Sequence, residues 1–215
     1  SSIRDAATGT EATPSGTTAR VAIRTHTVAS DYIQYRRGYT LFDTSSLGDT
    51  DTIDSATYAL VVTTRTDQWG GSGEIALVES APASNTDLVT ADYTTGVEIG
   101  TTKQAANLTI ASITADSSTA NTWTLNATGE GNISLTGITK FGVRVERDRA
   151  DSEPTWASNE RQRIIFATAD EVLGGDKRPV LTVTHTTPVS AAITGTIGDG
   201  ATEQEVRDGS GTIII

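Results

Sequence analysis

The sequence predicts an all-β fold, a two-sheet antiparallel β-sandwich of jelly-roll type, and three observations point to it. Threonine is the commonest residue, with 39 copies among 215 positions. Its β-branched side chain suits the half-exposed face of a pleated sheet. Apolar and polar residues alternate with period two along most of the chain, which is the pattern of strands with one face covered. Clusters of Gly, Asn, Asp and Ser separate these runs, and no long stretch rich in Leu, Lys, Glu and Ala offers a helix.

Taken in order, "RVAIRT" places Val21 and Ile23 inward and Arg20, Ala22 and Arg24 outward. "GYTLFDT" follows, then "SATYALVVTTRT", in which Ala56, Tyr58, Leu60 and Val62 share a face. "EIALVES" and "NLTIASI" continue the series, and "NTWTLNAT" puts Trp123, Leu125 and Ala127 on one side. "KFGVRVER" groups Phe141, Val143 and Val145, "RQRIIFAT" groups Ile164 and Phe166, and "RPVLTVTHT" alternates to its end. About eight to ten strands at this spacing make a sandwich or barrel. The expected interior is Phe42, Leu60, Trp123, Phe141, Val143, Phe166 and Leu181. One short helical turn is expected within "ASNTDLVTADYTTG".

At Pro188 the texture changes to small residues, an acidic segment and a terminal "TIII". Residues 1–187 are therefore expected to form the sandwich module, and 188–215 a linker with the first strand or strands of a second module, or an assembly strand. Three consecutive isoleucines cannot share one face of a sheet, so that segment expects cover from another module or subunit. The absence of methionine and the start at Ser1 fit a segment of a longer modular chain.

Composition narrows the function classes. There is no cysteine, so disulfides and thiolate metal sites are absent. A net charge of −11 argues against a general nucleic-acid binder. No apolar run is long enough for a helical membrane span, so no membrane insertion is expected. The basic residues are skewed to 13 Arg against 3 Lys. Arginine is the side chain that forks onto carboxylates and other oxyanions.

The stretch "RRGYTLFDTSSLGDTDTIDSATYALVV" resembles the DNRLRE-type β-sandwich family, which is related to disaggregatase-associated and carbohydrate-binding modules. The matching residues are Arg37, Gly38, Leu41, Phe42, Asp43, Ser45, Ser46, Leu47, Ile53, Ser55, Ala56 and Leu60, with a closing Pro179, Leu181 and Val183. The hexapeptide that names the family is missing here. The resemblance spans roughly residues 1–187 and implies a sandwich with a glycan as ligand. The tail is similar to segments that open Ig-like repeats in phage virion proteins.

Three constellations bear on chemistry. The densest is "RVERDRADSEPTWASNERQRIIF". By parity Arg144, Arg161 and Arg163 point outward, and neighbouring strands would line them up with Arg20 and Arg24. Trp156 and Asn159 lie in the connecting loop, and a ring beside Arg and Asn donors suits a sugar or uronate. The competing reading is a ladder of cross-strand Arg–Glu pairs with Glu146 and Glu160 as partners. Loop carboxylates form the second group. Asp148, Asp151 and Glu153, and Asp170, Glu171 and Asp176, are the hard oxygens that a structural calcium would need. No cofactor is otherwise required. His26 and His185 are too few for a usual zinc site and read as surface or strand-end residues.

The expected function is thus non-catalytic: an adhesion or decoration module of a longer structural protein, on a phage virion or bacterial exterior. Its expected partners are a cell-surface or extracellular polysaccharide and other subunits of the same assembly. A purely structural decoration or fibre protein, and a polysaccharide-cleaving enzyme, are the alternatives.

Overall fold

The protein is described here by a computed structural model covering residues 3–94, 98–171 and 176–188. The expected second module or assembly strand lies, from residue 189 onward, outside the described residues. Eleven strands form among the described residues. They are β1 (Thr18–Thr25), β2 (Tyr32–Arg36), β3 (Gly38–Asp43), β4 (Thr52–Asp67), β5 (Glu74–Ser80), β6 (Ile99–Lys103), β7 (Leu108–Thr109), β8 (Ala120–Thr124), β9 (Ile138–Val145), β10 (Arg161–Ala167) and β11 (Val180–Thr186). Short helices α1 (Ala127–Gly131) and α2 (Glu146–Arg149) sit between strands. A 3-10 turn at Thr90–Tyr93 falls where the short helical turn was expected.

The strands make two antiparallel sheets packed together. The first runs β11-β4-β10-β1-β2, with β8 also paired to β4, and the second runs β3-β9-β5-β6, with β7 paired to β5. Inward positions follow the predicted alternation. Val21, Ile23, Leu60, Trp123, Phe141, Val143, Ile164 and Phe166 are buried between the sheets, while Phe42 and Leu181 are partly buried and pack against that core. Gly38 begins β3 where the chain has just crossed from one sheet to the other. A Cβ there would stand 2.9 Å from the Phe166 ring, so only glycine fits without moving it.

The outer face of the second sheet is covered as well. Ala76, Val78 and Ile99 form a separate buried cluster with Tyr39 packed on it. Residues 82–93 lie over this face: the Tyr39 hydroxyl donates to the Asp92 carbonyl, and Lys140 Nζ donates to the Pro82 carbonyl at 3.3 Å. The signal in the sequence is the unbroken apolar run Ile75–Val78, because a strand covered on both faces does not alternate.

Helix α1 starts at a side-chain cap, with Asn126 Oδ1 accepting from the Gly129 amide at 2.9 Å. Asn126→Ala is expected to cost about 1 kcal/mol, read as a shift of the urea midpoint at constant slope.

Candidate functional site

The outer face of the first sheet gathers arginines. Period-two alternation on β1 buries Val21 and Ile23 and turns Arg20 and Arg24 to the other side. On β10 the same alternation buries Gln162 and Ile164 and turns Arg161 and Arg163 outward. The β1–β10 register sets Arg24 directly opposite Arg161. Like charges in that position repel and destabilise a sheet.

Neutral groups, not carboxylates, meet these side chains. Arg24 Nη2 donates to Asn159 Oδ1 at 2.7 Å, Arg161 Nε to Gln68 Oε1 at 3.2 Å, and Arg163 Nε to Thr66 Oγ1 at 3.2 Å. The Nε atoms of Arg20 and Arg24 are buried and have no hydrogen-bond partner among the described residues. None of the four arginines forms an ion pair with a carboxylate among the described residues. Burial first, and then the positive fields of Arg161, Arg20 and Arg24, lower the Arg163 guanidinium from its ordinary value. Asn159 holds a left-handed backbone with φ of 58°, which an asparagine tolerates better than most residues. That conformation places its side chain against Arg24 while its amide donates to the His26 carbonyl.

Several sequence expectations change. Arg144 is not part of this face. It points away from the inter-sheet core, as parity requires, but β9 belongs to the second sheet, whose outer side is covered. Its side chain is fully buried, donating to Asp148 Oδ2 at 2.9 Å and to the Gly100 carbonyl at 2.8 Å. Trp156 lies beyond the end of β1, in a shallow depression with Tyr32, Ser30, Asp31, Pro154 and Thr155. The loop is pinned there by Thr25, whose hydroxyl donates to the Ala157 carbonyl. Among the described residues the cross-strand Arg–Glu ladder does not form: Glu146 is taken by Arg149 at 2.6 Å and Lys103 at 3.3 Å, and Glu160 makes no ion pair with the arginines of this face.

The carboxylates expected as calcium ligands are taken up by protein partners, Arg4 serving both Asp148 at 3.6 Å and Asp151 at 2.9 Å. Asp148 is engaged by Arg37 and Arg144, Asp151 by Arg4 at 2.9 Å, and Glu153 accepts from the Tyr35 hydroxyl at 2.9 Å. Asp170 accepts from the Gly16 amide at 3.3 Å and Asp176 pairs with Arg178 at 2.9 Å. No group of three or more potential ligands converges among the described residues. His185 Nδ1 lies 2.6 Å from Asp51 Oδ2, and His26 Nδ1 accepts from the Val28 amide at 3.2 Å. No serine hydroxyl is hydrogen-bonded to either imidazole among the described residues.

Arg20 and Arg24, expected only as additions to a stripe, lie with Arg161 and Arg163 on this face, and Arg36 on β2 joins them opposite Ala22. Comparison with protein-family models and with curated protein sequences finds no match for this chain.

Proposed function

We propose that this chain is a non-catalytic surface module that binds an acidic glycan across the outer face of its first sheet. Adhesion or decoration on a virion or bacterial exterior is the role in which such a module serves. The observation that carries the reading is the set of four arginines, Arg20, Arg24, Arg161 and Arg163, with no carboxylate partner among the described residues of a chain whose net charge is −11. Twenty-seven acids were available to neutralise them. A face that keeps like charges side by side carries a stability cost, and an anionic ligand relieves it on binding.

The acidic remainder of the molecule disfavours a long polyanion that must wrap it, as duplex DNA would. A short acidic glycan segment needs only the face itself. Asn159 adds an amide at its edge.

The test is binding to immobilised polygalacturonate and dextran sulfate, with uncharged dextran as control. Arg24→Gln and Arg161→Gln are each expected to weaken binding about tenfold or more, since each removes a charge-assisted contact. Affinity should fall as salt rises. The same substitutions relieve repulsion, so thermal stability should rise by about 0.2–1 kcal/mol. Binding unchanged in both variants, or lower stability in both, would point to a structural role for the face.

A further inference from the structure

The pairing of β1 with both of its neighbours puts an alanine at the centre of a ring of arginines. Ala22 faces Arg163 across the β10 side and Arg36 across the β2 side. Along its own strand its same-face neighbours are Arg20 and Arg24. All four nearest same-face positions are therefore arginine. Cross-strand neighbours stand about 5 Å away and along-strand neighbours about 7 Å away. Ala22 itself is only 3% exposed, as a methyl ringed by long side chains should be. Among the described residues, Arg36 alone of the four has a carboxylate partner, the exposed Glu11 at 3.4 Å. None of these same-face neighbours is aromatic, so the ring recognises charge and not a sugar or base plane.

We infer that the ring around Ala22 is a socket for a tetrahedral oxyanion ester, a sulfate or phosphate group carried by the glycan. This rests on the acidic-glycan reading above and narrows it. A carboxylate has two coplanar oxygens and is satisfied by one guanidinium fork. Guanidiniums arriving from four sides match a group whose three terminal oxygens diverge from one centre. Arg24, Arg163 and Arg36 donate to Asn159, Thr66 and Glu11, and the small residue at 22 leaves them room to turn onto one bound group. A larger side chain there would prop them apart.

The experiment compares dextran sulfate, phosphorylated dextran, polygalacturonate and a duplex DNA oligonucleotide, with inorganic sulfate and phosphate as competitors. The wild type should bind one or both of the esterified dextrans at least tenfold more tightly than polygalacturonate, and millimolar inorganic sulfate or phosphate should displace them; which dextran binds assigns the ester. Ala22→Leu and Arg163→Gln should remove that preference while polygalacturonate still binds through Arg24 and Arg161. Glu11→Gln should tighten ester binding about two- to fivefold by freeing Arg36. Melting curves check that each variant folds, and Arg20→Gln replaces Ala22→Leu if the larger side chain prevents folding.

Polygalacturonate bound as tightly as the esters, or a preference that survives Ala22→Leu and Arg163→Gln, overturns the socket and leaves the acidic-glycan reading standing. No binding to any charged polysaccharide overturns both. Tighter binding of the DNA than of the dextrans overturns both in favour of a nucleic-acid ligand.

Discussion

Asp148→Ala is expected to destabilise the fold by about 3–5 kcal/mol, a large part of the roughly 5–15 kcal/mol that holds a domain folded. The carboxylate is 2% exposed and accepts from Arg37 Nε at 2.8 Å and from Arg144 Nε at 2.9 Å. Its main-chain carbonyl accepts from Arg4 Nε at 2.9 Å. These bonds join the N-terminal segment, the β2–β3 crossover, β9 and α2 at one point. With the carboxylate removed, Arg37 and Arg144 stay buried without their shared counter-charge. Arg37 keeps the Tyr93 carbonyl and a place 4.1 Å from the Tyr93 ring centre, and Arg144 keeps the Gly100 carbonyl. Neutral acceptors do not replace a negative charge at that depth. Arg4 is less affected, because Asp5 and Asp151 also pair with it. Asp148→Asn keeps the shape and loses the charge, so it should cost nearly as much. Urea unfolding at pH 7 measures both, and a loss below about 1 kcal/mol in either would mean that the cluster is not the anchor described.

The same group sets an acid limit. Burial alone would raise the Asp148 carboxyl, but hydrogen bonds from Arg37 and Arg144 outweigh it and hold the group below the usual carboxylate range. A folded-state pKa below the unfolded one means that the unfolded chain binds the proton more readily. The stabilisation is complete above the unfolded value of about 4, and it is lost as pH falls through the folded value. Asp148→Asn should therefore lose much of its disadvantage relative to wild type as the pH drops below about 4.

The contrast between Arg144 and Arg161 shows what alternation can and cannot tell. Parity correctly sends both away from the inter-sheet core. It carries no information about whether the far side meets water or a second layer. The clue to the second layer lay on another strand, in the unbroken run Ile75–Val78, whose Ala76 and Val78 share the outer face with Arg144. Asp148 follows the same logic: a loop carboxylate in the sequence is a buried counter-ion once α2 folds against β9. The arginine face was readable as a stripe from spacing alone. Its register was not, because which strands neighbour each other depends on contacts more than 130 positions apart along the chain, such as Ala22 with Arg163.

Tyr58→Ala is expected to cost about 3–5 kcal/mol, as other truncations of buried aromatics do, and Tyr58→Phe only about 1 kcal/mol. Tyr58 is fully buried at the centre of an aromatic cluster. Its ring lies 5.7 Å from Phe141, 5.8 Å from Trp123 and 6.0 Å from Phe42, all edge-on. Such contacts add to the burial of the ring itself. The three neighbours come from β9, β8 and β3, so this one side chain from β4 holds strands of both sheets. Its hydroxyl accepts from Thr40 Oγ1 at 3.2 Å, across the sandwich. Phenylalanine keeps every ring contact and gives up that single neutral hydrogen bond, whereas alanine opens a cavity that rigid neighbours cannot close. Equal losses in the two variants, read from urea midpoints, would locate the stabilisation in the hydroxyl and not in the ring. A loss under about 2 kcal/mol in Tyr58→Ala would mean that Trp123 and Phe141 collapse into the space, which their packing on opposite sheets argues against.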